Sequence, residues 1–469
     1  MLGPDILYLP VSELSRRIES RRISPVELAE SYLARSERIG PKLNAYATLT
    51  PDLALQQARK AESEIKAGHY RGRLHGIPYA AKDLLAVNGY PTSWGAKVFA
   101  DQKFDYSATI IGNLNRAGAV LLGKAAMIEL AGGMGYRFAS ASISGAARNP
   151  WNTGCWTCGS SSGSGAIVAA ALAPFAIGTE TWGSIICPSA FCGVTGLRPT
   201  FGRVSRFGAM ALAYSMDKIG PLARTAEDCA MVLAVISGHD PKDRGTLSVD
   251  QAAFTLSPSQ DMSAKSLRFG WLTNAWKNAE PSLAKTADEA MRVIRKYVGK
   301  VSQAKLPEGP SDDAANIIVA VEGASAFESL IESGRCAELT DPLGKIAGYV
   351  NQQISATDYL HALRVRGILQ QRMAELYETF DVLMAPSQPV AATPLDLDIE
   401  KGLSFPDPQG AIGNLCGLPA ISVPCGFTDK KLPVGLQFMA RAGNDRAVIA
   451  AARAFQQHTN WHLRRPPVS

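Results

Sequence analysis

The chain has 469 residues, of which 46% are hydrophobic and 19% charged, so a folded core is expected and disorder is excluded for most of it. The net charge is +6, and the basic residues are scattered without a long run. We therefore expect neither nucleic acid nor a membrane as a main partner. Eight cysteines in a chain of this length do not indicate a disulfide-rich scaffold.

No segment predicts export or membrane insertion. The first six residues lack a basic stretch followed by an apolar one, so no signal peptide is predicted. The longest apolar run, residues 166–177, has 12 residues and contains Pro174. A span needs about 20 apolar residues, so this run predicts a buried core helix. We expect a cytoplasmic α/β enzyme.

The N-terminal part predicts helices. Ser12 precedes an apolar stripe and is the predicted N-cap of the first helix. In the second, Ser24 is the predicted N-cap, Pro25 occupies the first turn, and Glu27 completes a capping box. Residues 51–67 predict a third, polar helix.

From about residue 74, short apolar runs alternate with glycine-rich turns and helical stretches. Strands are predicted at residues 76–78, 119–122, 167–172 and 194–197. Helices are predicted at residues 107–117 and 225–238. This alternation predicts an α/β fold in which helices cover both faces of a large mixed central sheet.

The polar stretch at residues 239–266 is the best internal boundary. After it, a strand is predicted at 267–272, helices at 282–298 and 357–379, and further strands at 382–384, 420–423 and 434–438. Because strands flank a helical insert, we predict a single discontinuous domain over residues 1–469. Its parts are N-terminal helices (1–70), a catalytic core (71–240), a mostly helical substrate-side insert (241–380) and a C-terminal part that completes the sheet (381–469).

Two motifs resemble cofactor sites. Residues 118–125 nearly match a phosphate-binding loop, but Ala125 replaces the hydroxyl residue that binds magnesium, and the apolar interior predicts a strand. Cys155 and Cys158 form a C-x-x-C, yet no second ligand pair of suitable spacing is present for zinc. We expect no cofactor and no metal. Four cysteines near the serine turns are expected to be reduced thiols, neither metal ligands nor disulfides: Cys155, Cys158, Cys187 and Cys192.

Residues 159–163 fit the G-x-S-x-G nucleophile elbow, with Ser161 as the nucleophile. That elbow follows a buried strand, whereas residues 149–154 have the composition of a loop. A Ser-His-Asp esterase that uses Ser161 is retained as an alternative.

The same glycine- and serine-rich run favours a different chemistry when it is combined with a lysine. Residues 159–165 contain four Ser and three Gly, a second serine turn holds Ser184, and Lys82 follows an apolar run. Burial lowers the pKa of a lysine by disfavouring its charged form. A neutral lysine can then act as the base that activates a serine.

In these features the chain resembles the amidase signature family, from about Val11 to His458. The motifs that carry the resemblance occur in the family's order at residues 74–78, 82–83, 118–124, 159–165, 191–200, 417–424 and 433–437. The resemblance implies the amidase signature fold and a Ser–cis-Ser–Lys triad.

Transferred position by position, the resemblance implies that Ser184 is the nucleophile, that Ser160 in a cis peptide relays the proton, and that Lys82 is the base. It implies an oxyanion hole made by the backbone N–H groups of Thr181, Trp182, Gly183 and Ser184. Substrate-binding positions are expected at Gly133, Met134 and Trp182.

Three positions beside the nucleophile depart from the family pattern. Glu180 replaces an Asp, Trp182 replaces a Gly, and Ile186 replaces an Arg that could pair with the acid. Two interpretations of Trp182 stay open. Its ring could form a pocket wall that favours flat or aromatic substrates, or it could pack outward into the volume of the missing Arg.

We therefore expect an amidase, a hydrolase of linear amide C–N bonds, that acts alone on small amides, anilides or carbamates (urethanes). Its expected partner is a small-molecule substrate, with no nucleic acid and no membrane, and its expected state is a monomer or homodimer. The alternative is the A subunit of a glutamine-dependent tRNA amidotransferase. Arg366 lies where that protein has an Arg for the substrate carboxylate.

Overall fold

The computed structural model describes residues 1–252, 254, 262–276, 279–402 and 409–468. It begins with helices α1 (Pro4–Leu7), α2 (Val11–Glu19) and α3 (Pro25–Leu43), then β1 (Tyr46–Leu49) and α4 (Pro51–Lys66).

The predicted start of α3 is confirmed, whereas that of α2 is wrong. The Ser24 hydroxyl accepts the N–H groups of Val26 at 3.0 Å and Glu27 at 3.2 Å, as an N-cap should. Ser12 lies inside α2, whose N-cap is Pro10. The Ser12 N–H donates instead to Asp228 at 3.0 Å, a partner that only the tertiary fold supplies.

Eleven strands form one mixed sheet in the order β1-β3-β2-β6-β8-β7-β12-β13-β11-β9-β10. Its remaining strands are β2 (Pro78–Lys82), β3 (Val120–Ala125), β6 (Phe175–Glu180), β7 (Thr195–Arg198), β8 (Lys218–Ala223), β9 (Arg268–Leu272), β10 (Lys300–Ala304), β11 (Val382–Pro386), β12 (Ala420–Phe427) and β13 (Pro433–Ala440). A small separate hairpin consists of β4 (Arg148–Asn149) and β5 (Asn152–Trp156).

The predicted large mixed sheet is confirmed, and its central strands are covered on both faces. Every residue of β2, β3, β6, β7 and β8 is buried, which explains why they occur as continuous apolar runs instead of alternating patterns. The near-match to a phosphate loop at 118–125 lies mostly in β3, as its apolar interior predicts.

The described helices that follow α4 pack around this sheet. They are α5 (Thr109–Arg116), α6 (Ser162–Ala169), α7 (Ile186–Cys192), α8 (Ala226–Ile236), α9 (Val249–Ala252), α10 (Pro281–Val293), α11 (Ser311–Ala326), α12 (Glu328–Glu332), α13 (Gly344–Asn351), α14 (Ala356–Thr379), α15 (Ile399–Gly402), α16 (Gly410–Leu415) and α17 (Asp445–Gln457). In the part of the chain that the structure describes, no helix is both long and apolar enough to cross a bilayer.

The strand predicted at residues 167–172 is wrong. These residues form the end of α6 and the turn after it, and the strand begins at Phe175. A short apolar run does not distinguish a buried strand from a buried helix, because neither has a polar face. Pro174 separates the two elements, so the prediction of one helix over 166–177 is also too long.

The sheet brings the chemical groups to one edge. β2 and β6 are parallel neighbours, with Ala81 opposite Ile177. Their carboxyl ends therefore lie side by side, and these ends are Lys82 and Glu180. The turns after β5 and β6 carry Ser160 and Ser184 to the same place.

Candidate active site

Lys82 is the last residue of β2 and its side chain is fully buried. Its Nζ donates to Ser160 Oγ at 2.8 Å and to Thr179 Oγ1 at 2.9 Å. Thr179 is on the neighbouring strand β6, so the parallel pair sets the position of the amine. The sequence analysis did not identify Thr179, although it is one of two polar residues that end an otherwise apolar strand.

The two candidate serines meet in a second hydrogen bond. The Gly159–Ser160 peptide is cis, and Ser160 Oγ donates to Ser184 Oγ at 2.9 Å. Ser160 and Ser184 lie in the turns before α6 and α7. The structure thus joins Lys82, Ser160 and Ser184 in one continuous hydrogen-bonded chain.

The environment of Lys82 favours its neutral form. Burial lowers the pKa of this lysine from 10.5 to about 7, against the opposing charges of Asp217 and Glu180. A large fraction of Lys82 is therefore neutral near pH 7. A neutral amine has the lone pair that a base needs.

Glu180 anchors the turn that carries Ser184. Its Oε2 accepts the N–H groups of Ile185 at 2.8 Å and Ile186 at 3.0 Å. Its Oε1 accepts from Arg198 at 2.7 Å and from Asn414 at 3.1 Å. The carboxylate therefore ties the end of β6 to the start of α7 and closes a loop around residues 181–184.

The cation that pairs with Glu180 comes from another strand. Arg198 lies on β7, and both side chains of the pair are fully buried. Burial by itself raises the pKa of Glu180, but the charge and hydrogen bond of Arg198 and the Ile186 N–H lower it to about 2. Arg198 thus supplies the partner that Ile186 cannot provide. Sequence reasoning missed this pair because the two residues lie on different strands.

The loop closed by Glu180 has the features of an anion-binding turn. Among the described residues, the backbone N–H groups of all four predicted oxyanion-hole positions, Thr181 to Ser184, have no hydrogen-bond acceptor. Gly183 has a φ of +82° and open space beside it. The Thr181 hydroxyl does not face this turn, because its Oγ1 donates to Asp217 at 2.5 Å.

A cavity of about 240 Å³ adjoins the serine–lysine chain. Its polar wall includes Thr179, Thr181, Asp217 and Lys218, and much of the remaining wall is apolar, including Leu84, Met210, Leu212 and Ile219. Thr179 connects the cavity wall to the Lys82 amine, although Lys82, Ser160 and Ser184 are not themselves among the residues that line this cavity.

The expected substrate-binding positions lie behind the cavity wall. Trp182 is half-buried and packs against an apolar cluster that contains Ile186 and Met216, which favours the packing interpretation over the pocket wall. A side chain at Gly133 would meet Leu212, and Met134 is buried with its methyl group facing Gly348. None of the three is among the residues that line this cavity.

Ser161 does not have the surroundings of an elbow nucleophile. Its Oγ donates to the Thr179 carbonyl at 3.1 Å and accepts the Thr179 N–H at 3.2 Å. Among the described residues, it has no hydrogen bond to a histidine. Its hydroxyl therefore holds the start of α6 against β6, and the structure does not support the esterase alternative.

The expectation that the cysteines near the serine turns are all reduced is wrong for two of them. Cys158 and Cys187 form a disulfide with a Cα–Cα distance of 5.8 Å. Cys158 lies two residues before Ser160, and Cys187 lies three residues after Ser184. The contact between the catalytic turns brings the two cysteines together, and their separation of 29 residues hides this in the sequence. Cys155 and Cys192 are free and buried, as expected.

Arg366 lies on α14, and its guanidinium is already engaged. It donates to Ser215 Oγ at 3.0 Å and to the Ser215 carbonyl at 2.9 Å. It thus supports the turn between residues 213 and 217, which leads into the cavity wall. Among the described residues, no group of three or more His, Cys, Asp or Glu side chains is arranged to hold a metal ion.

Comparisons with known proteins find relatives that align with nearly the whole chain. A family model described as Amidase matches residues 27–449. The chain is 37% identical to the A subunit of the glutamyl-tRNA(Gln) amidotransferase of Marinobacter nauticus, over 97% of this chain and 99% of that protein. It is also similar to the solved peptide amidase of Stenotrophomonas maltophilia, with a TM-score of 0.84, 30% identity and 98% of both chains covered. A bacterial aryl acylamidase of the amidase signature family gives a TM-score of 0.86 at 25% identity, covering 97% of this chain and 98% of that one.

These comparisons correct the expected partners. We expected a small-molecule substrate alone, with no nucleic acid and no assembly beyond a homodimer. Further relatives, from Methylococcus capsulatus and Gloeobacter violaceus, carry the same amidotransferase name at 35% and 33% identity. That name describes one subunit of an enzyme that acts on glutamyl-tRNA(Gln). The exclusion of nucleic acid and of partner subunits is therefore wrong, because the scattered surface charge on which it was based does not report on assembly.

Proposed function

The chain belongs to the amidase signature family, and from this premise we propose that it hydrolyses a carboxamide C–N bond through an acyl-enzyme on Ser184. The observation that carries the proposal is the unbroken hydrogen-bonded chain from Lys82 Nζ through Ser160 Oγ to Ser184 Oγ. A nucleophile needs a base within hydrogen-bond reach, and this chain provides one through a single hydroxyl.

In the first step, neutral Lys82 takes the proton of the Ser160 hydroxyl as Ser160 takes the proton of Ser184. The Ser184 oxygen forms a bond to the substrate carbonyl carbon, and the carbonyl electron pair moves to its oxygen. The N–H groups of residues 181–184, which have no acceptor among the described residues, are available to stabilise that charge. Donors of this kind are each worth roughly 3–4 kcal/mol of barrier.

In the second step the C–N bond breaks. The leaving nitrogen takes a proton from Ser160, which regains one from the Lys82 ammonium. Water then attacks the acyl group by the same relay, releases the acid and restores Ser184. The proton that leaves with the nitrogen is replaced by one from the attacking water, so Lys82, Ser160 and Ser184 are restored at the end of the cycle.

For the substrate, we propose a primary carboxamide, such as the side chain of glutamine, from which ammonia is released for a partner subunit. The support is the similarity to amidotransferase A subunits over nearly the whole of both chains. The hydroxyl and charged groups on the otherwise apolar cavity wall offer hydrogen-bond partners to such an amide.

A second candidate is a stand-alone amide hydrolase. The departures Trp182 and Ile186 beside the nucleophile favour it, together with similarity to a peptide amidase and an aryl acylamidase. In that case the chain would turn over amides without any partner subunit.

Purified chain tests both candidates when glutamine, a peptide amide and an anilide are supplied with and without the partner subunits of an amidotransferase. Glutamine-dependent ammonia release that requires the partners supports the first candidate, and equal turnover without them supports the second. Ser184→Ala is the blank, and Ser161→Ala is the matched control that should retain activity. Lys82→Met and Ser160→Ala should each lose about 10²–10⁴-fold in kcat/KM. Full activity in either variant contradicts the mechanism.

A further inference from the structure

Three lysines are buried in the part of the chain that the structure describes, and their surroundings differ. Lys82 contacts two hydroxyl groups in the catalytic chain. Lys124 is surrounded by acceptors: Asp83 at 2.9 Å, Thr92 Oγ1 at 2.9 Å and the Pro91 carbonyl at 3.2 Å. Three acceptors satisfy all three donors of an ammonium group. The contacts of Lys124 therefore account for the burial of its charge.

The contacts of Lys218 do not account for its burial in the same way. It is the first residue of β8 and only 2% exposed, and in the described part of the chain its Nζ donates to one acceptor, the Met216 carbonyl. No carboxylate among the described residues forms an ion pair with it. A buried ammonium that keeps two unused donors is costly unless something else receives them.

Lys218 is one of the residues that line the substrate cavity, together with Thr179 on the neighbouring strand β6 and Thr181 just after it. Thr179 also contacts the Lys82 amine, so a single residue separates the wall that carries Lys218 from the serine–lysine chain.

The neighbouring carboxylates are committed to other partners. Glu180 is held by Arg198, Asn414 and two backbone N–H groups. Asp217 accepts from the Thr181 hydroxyl at 2.5 Å and from the Leu212 N–H at 2.8 Å. At the cavity mouth, Arg206 pairs with Asp243 at 2.9 Å. With Lys218 in its ammonium form, the described ionisable groups of the wall then leave Lys218 and Lys242 against Asp217, one cation more than anions.

We propose that Lys218 is a specificity-determining residue that binds an anionic group of the substrate, so that the preferred amide also carries a carboxylate. This inference rests on the proposed amide hydrolysis and names its substrate class. A carboxylate supplies the two acceptors that the Lys218 ammonium lacks and balances the charge of the wall. Arg366 is bound to Ser215, so in this proposal Lys218, and not Arg366, holds the carboxylate that the amidotransferase alternative would assign to Arg366.

The protonation state of Lys218 gives a second way to detect the binding of a carboxylate. Burial and the charge of Arg198 hold the pKa of Lys218 well below its usual range, with Arg366 lowering it and Glu180 and Asp217 raising it. An anion beside the amine stabilises the ammonium form. A carboxylate ligand should therefore take up a proton when it binds, whereas a neutral ligand of the same shape should not.

The test compares glutaramate, which carries both an amide and a carboxylate, with butyramide, which lacks the carboxylate. Lys218→Met keeps the apolar stem and removes the charge. We expect it to lower kcat/KM for glutaramate by about 10- to 100-fold, mainly through KM, with little effect on butyramide. Lys242→Met removes an exposed charge at the cavity mouth and should change the preference much less, which separates direct contact from the long-range field.

Proton uptake is read independently of turnover, by calorimetry of glutaramate binding to Ser184→Ala in two buffers of different ionisation enthalpy. Proton uptake by Ser184→Ala that is lost when Lys218→Met is added to it supports the inference. Where Lys218→Met does not fold, Lys218→Gln serves in both assays. Equal loss for both substrates, or no uptake in Ser184→Ala, overturns the role of Lys218. Absence of hydrolysis of both amides by the unmodified protein, with and without the partner subunits of an amidotransferase, while uptake is present, instead overturns the proposed hydrolysis and leaves the anion site supported.

Discussion

The anchor made by Glu180 leads to the sharpest prediction. Glu180→Gln keeps the shape of the side chain but removes its charge opposite Arg198, and one of its acceptor oxygens becomes an NH₂ group. Both partners are fully buried, so the Arg198 guanidinium is left without a counter-ion. The new NH₂ group is a donor, and it faces either Arg198 or the N–H groups of Ile185 and Ile186, which are donors themselves.

The size of the effect follows from two independent arguments. Breaking a buried ion pair by removing one partner costs about 3–5 kcal/mol. The pKa of Glu180, lowered from 4.5 to about 2, corresponds to about 3 kcal/mol of stabilisation. Because the folded-state pKa is the lower one, this stabilisation is complete above pH 4.5 and is lost as the pH falls towards 2. We expect Glu180→Gln to lower the free energy of unfolding at pH 7 by about 3–5 kcal/mol.

The assay combines urea unfolding with steady-state kinetics on the folded fraction. Loss of the Ile185 and Ile186 contacts frees the turn around Ser184, so kcat should fall more than KM rises. Asp445→Asn is the matched control, because Asp445 is also a buried carboxylate that accepts from an arginine (Arg203, 2.7 Å) and from a backbone N–H (Thr200, 2.9 Å). It should lose stability but keep kcat. Equal kcat in both folded variants would refute the positioning role of Glu180.

Three further predictions concern the same site. Since burial lowers the pKa of Lys82 to about 7, kcat/KM should rise tenfold per pH unit below pH 7 and level off above it, and a flat pH–rate profile would count against a lysine base. Mass spectrometry without reduction should find a peptide pair linked through Cys158 and Cys187, and free thiols at both positions would contradict the link. Replacing both cysteines by Ser should lower the free energy of unfolding by about 3–4 kcal/mol, the value expected for a separation of 29 residues. Because its ring packs against the apolar cluster, Trp182→Gly should lower kcat/KM for anilides and aliphatic amides by similar factors, whereas a selective loss for anilides would restore the pocket-wall interpretation.

Local patterns were sufficient for the parts of this protein whose physics is local. Ser24 caps α3 because a hydroxyl just before a helix reaches N–H groups two and three residues ahead. Buried strands appear as apolar runs because both of their faces are covered. Lys82, Ser160 and Ser184 could be identified because each lies in a motif that is continuous in sequence. The distances between the three motifs needed the parallel pairing of β2 and β6, which sets their carboxyl ends side by side.

The tertiary structure decided what depends on contacts between distant segments. Arg198 replaces the missing arginine at position 186 because the fold brings the end of β7 to Glu180, and Cys158 meets Cys187 because the two serine turns converge. Lys218 is a buried lysine at the cavity only after β8 pairs with β6. A sequence lists side chains in order along one dimension. Burial, ion pairing and free donors are properties of the neighbours in three dimensions, and these determine how the candidate site binds and holds charge.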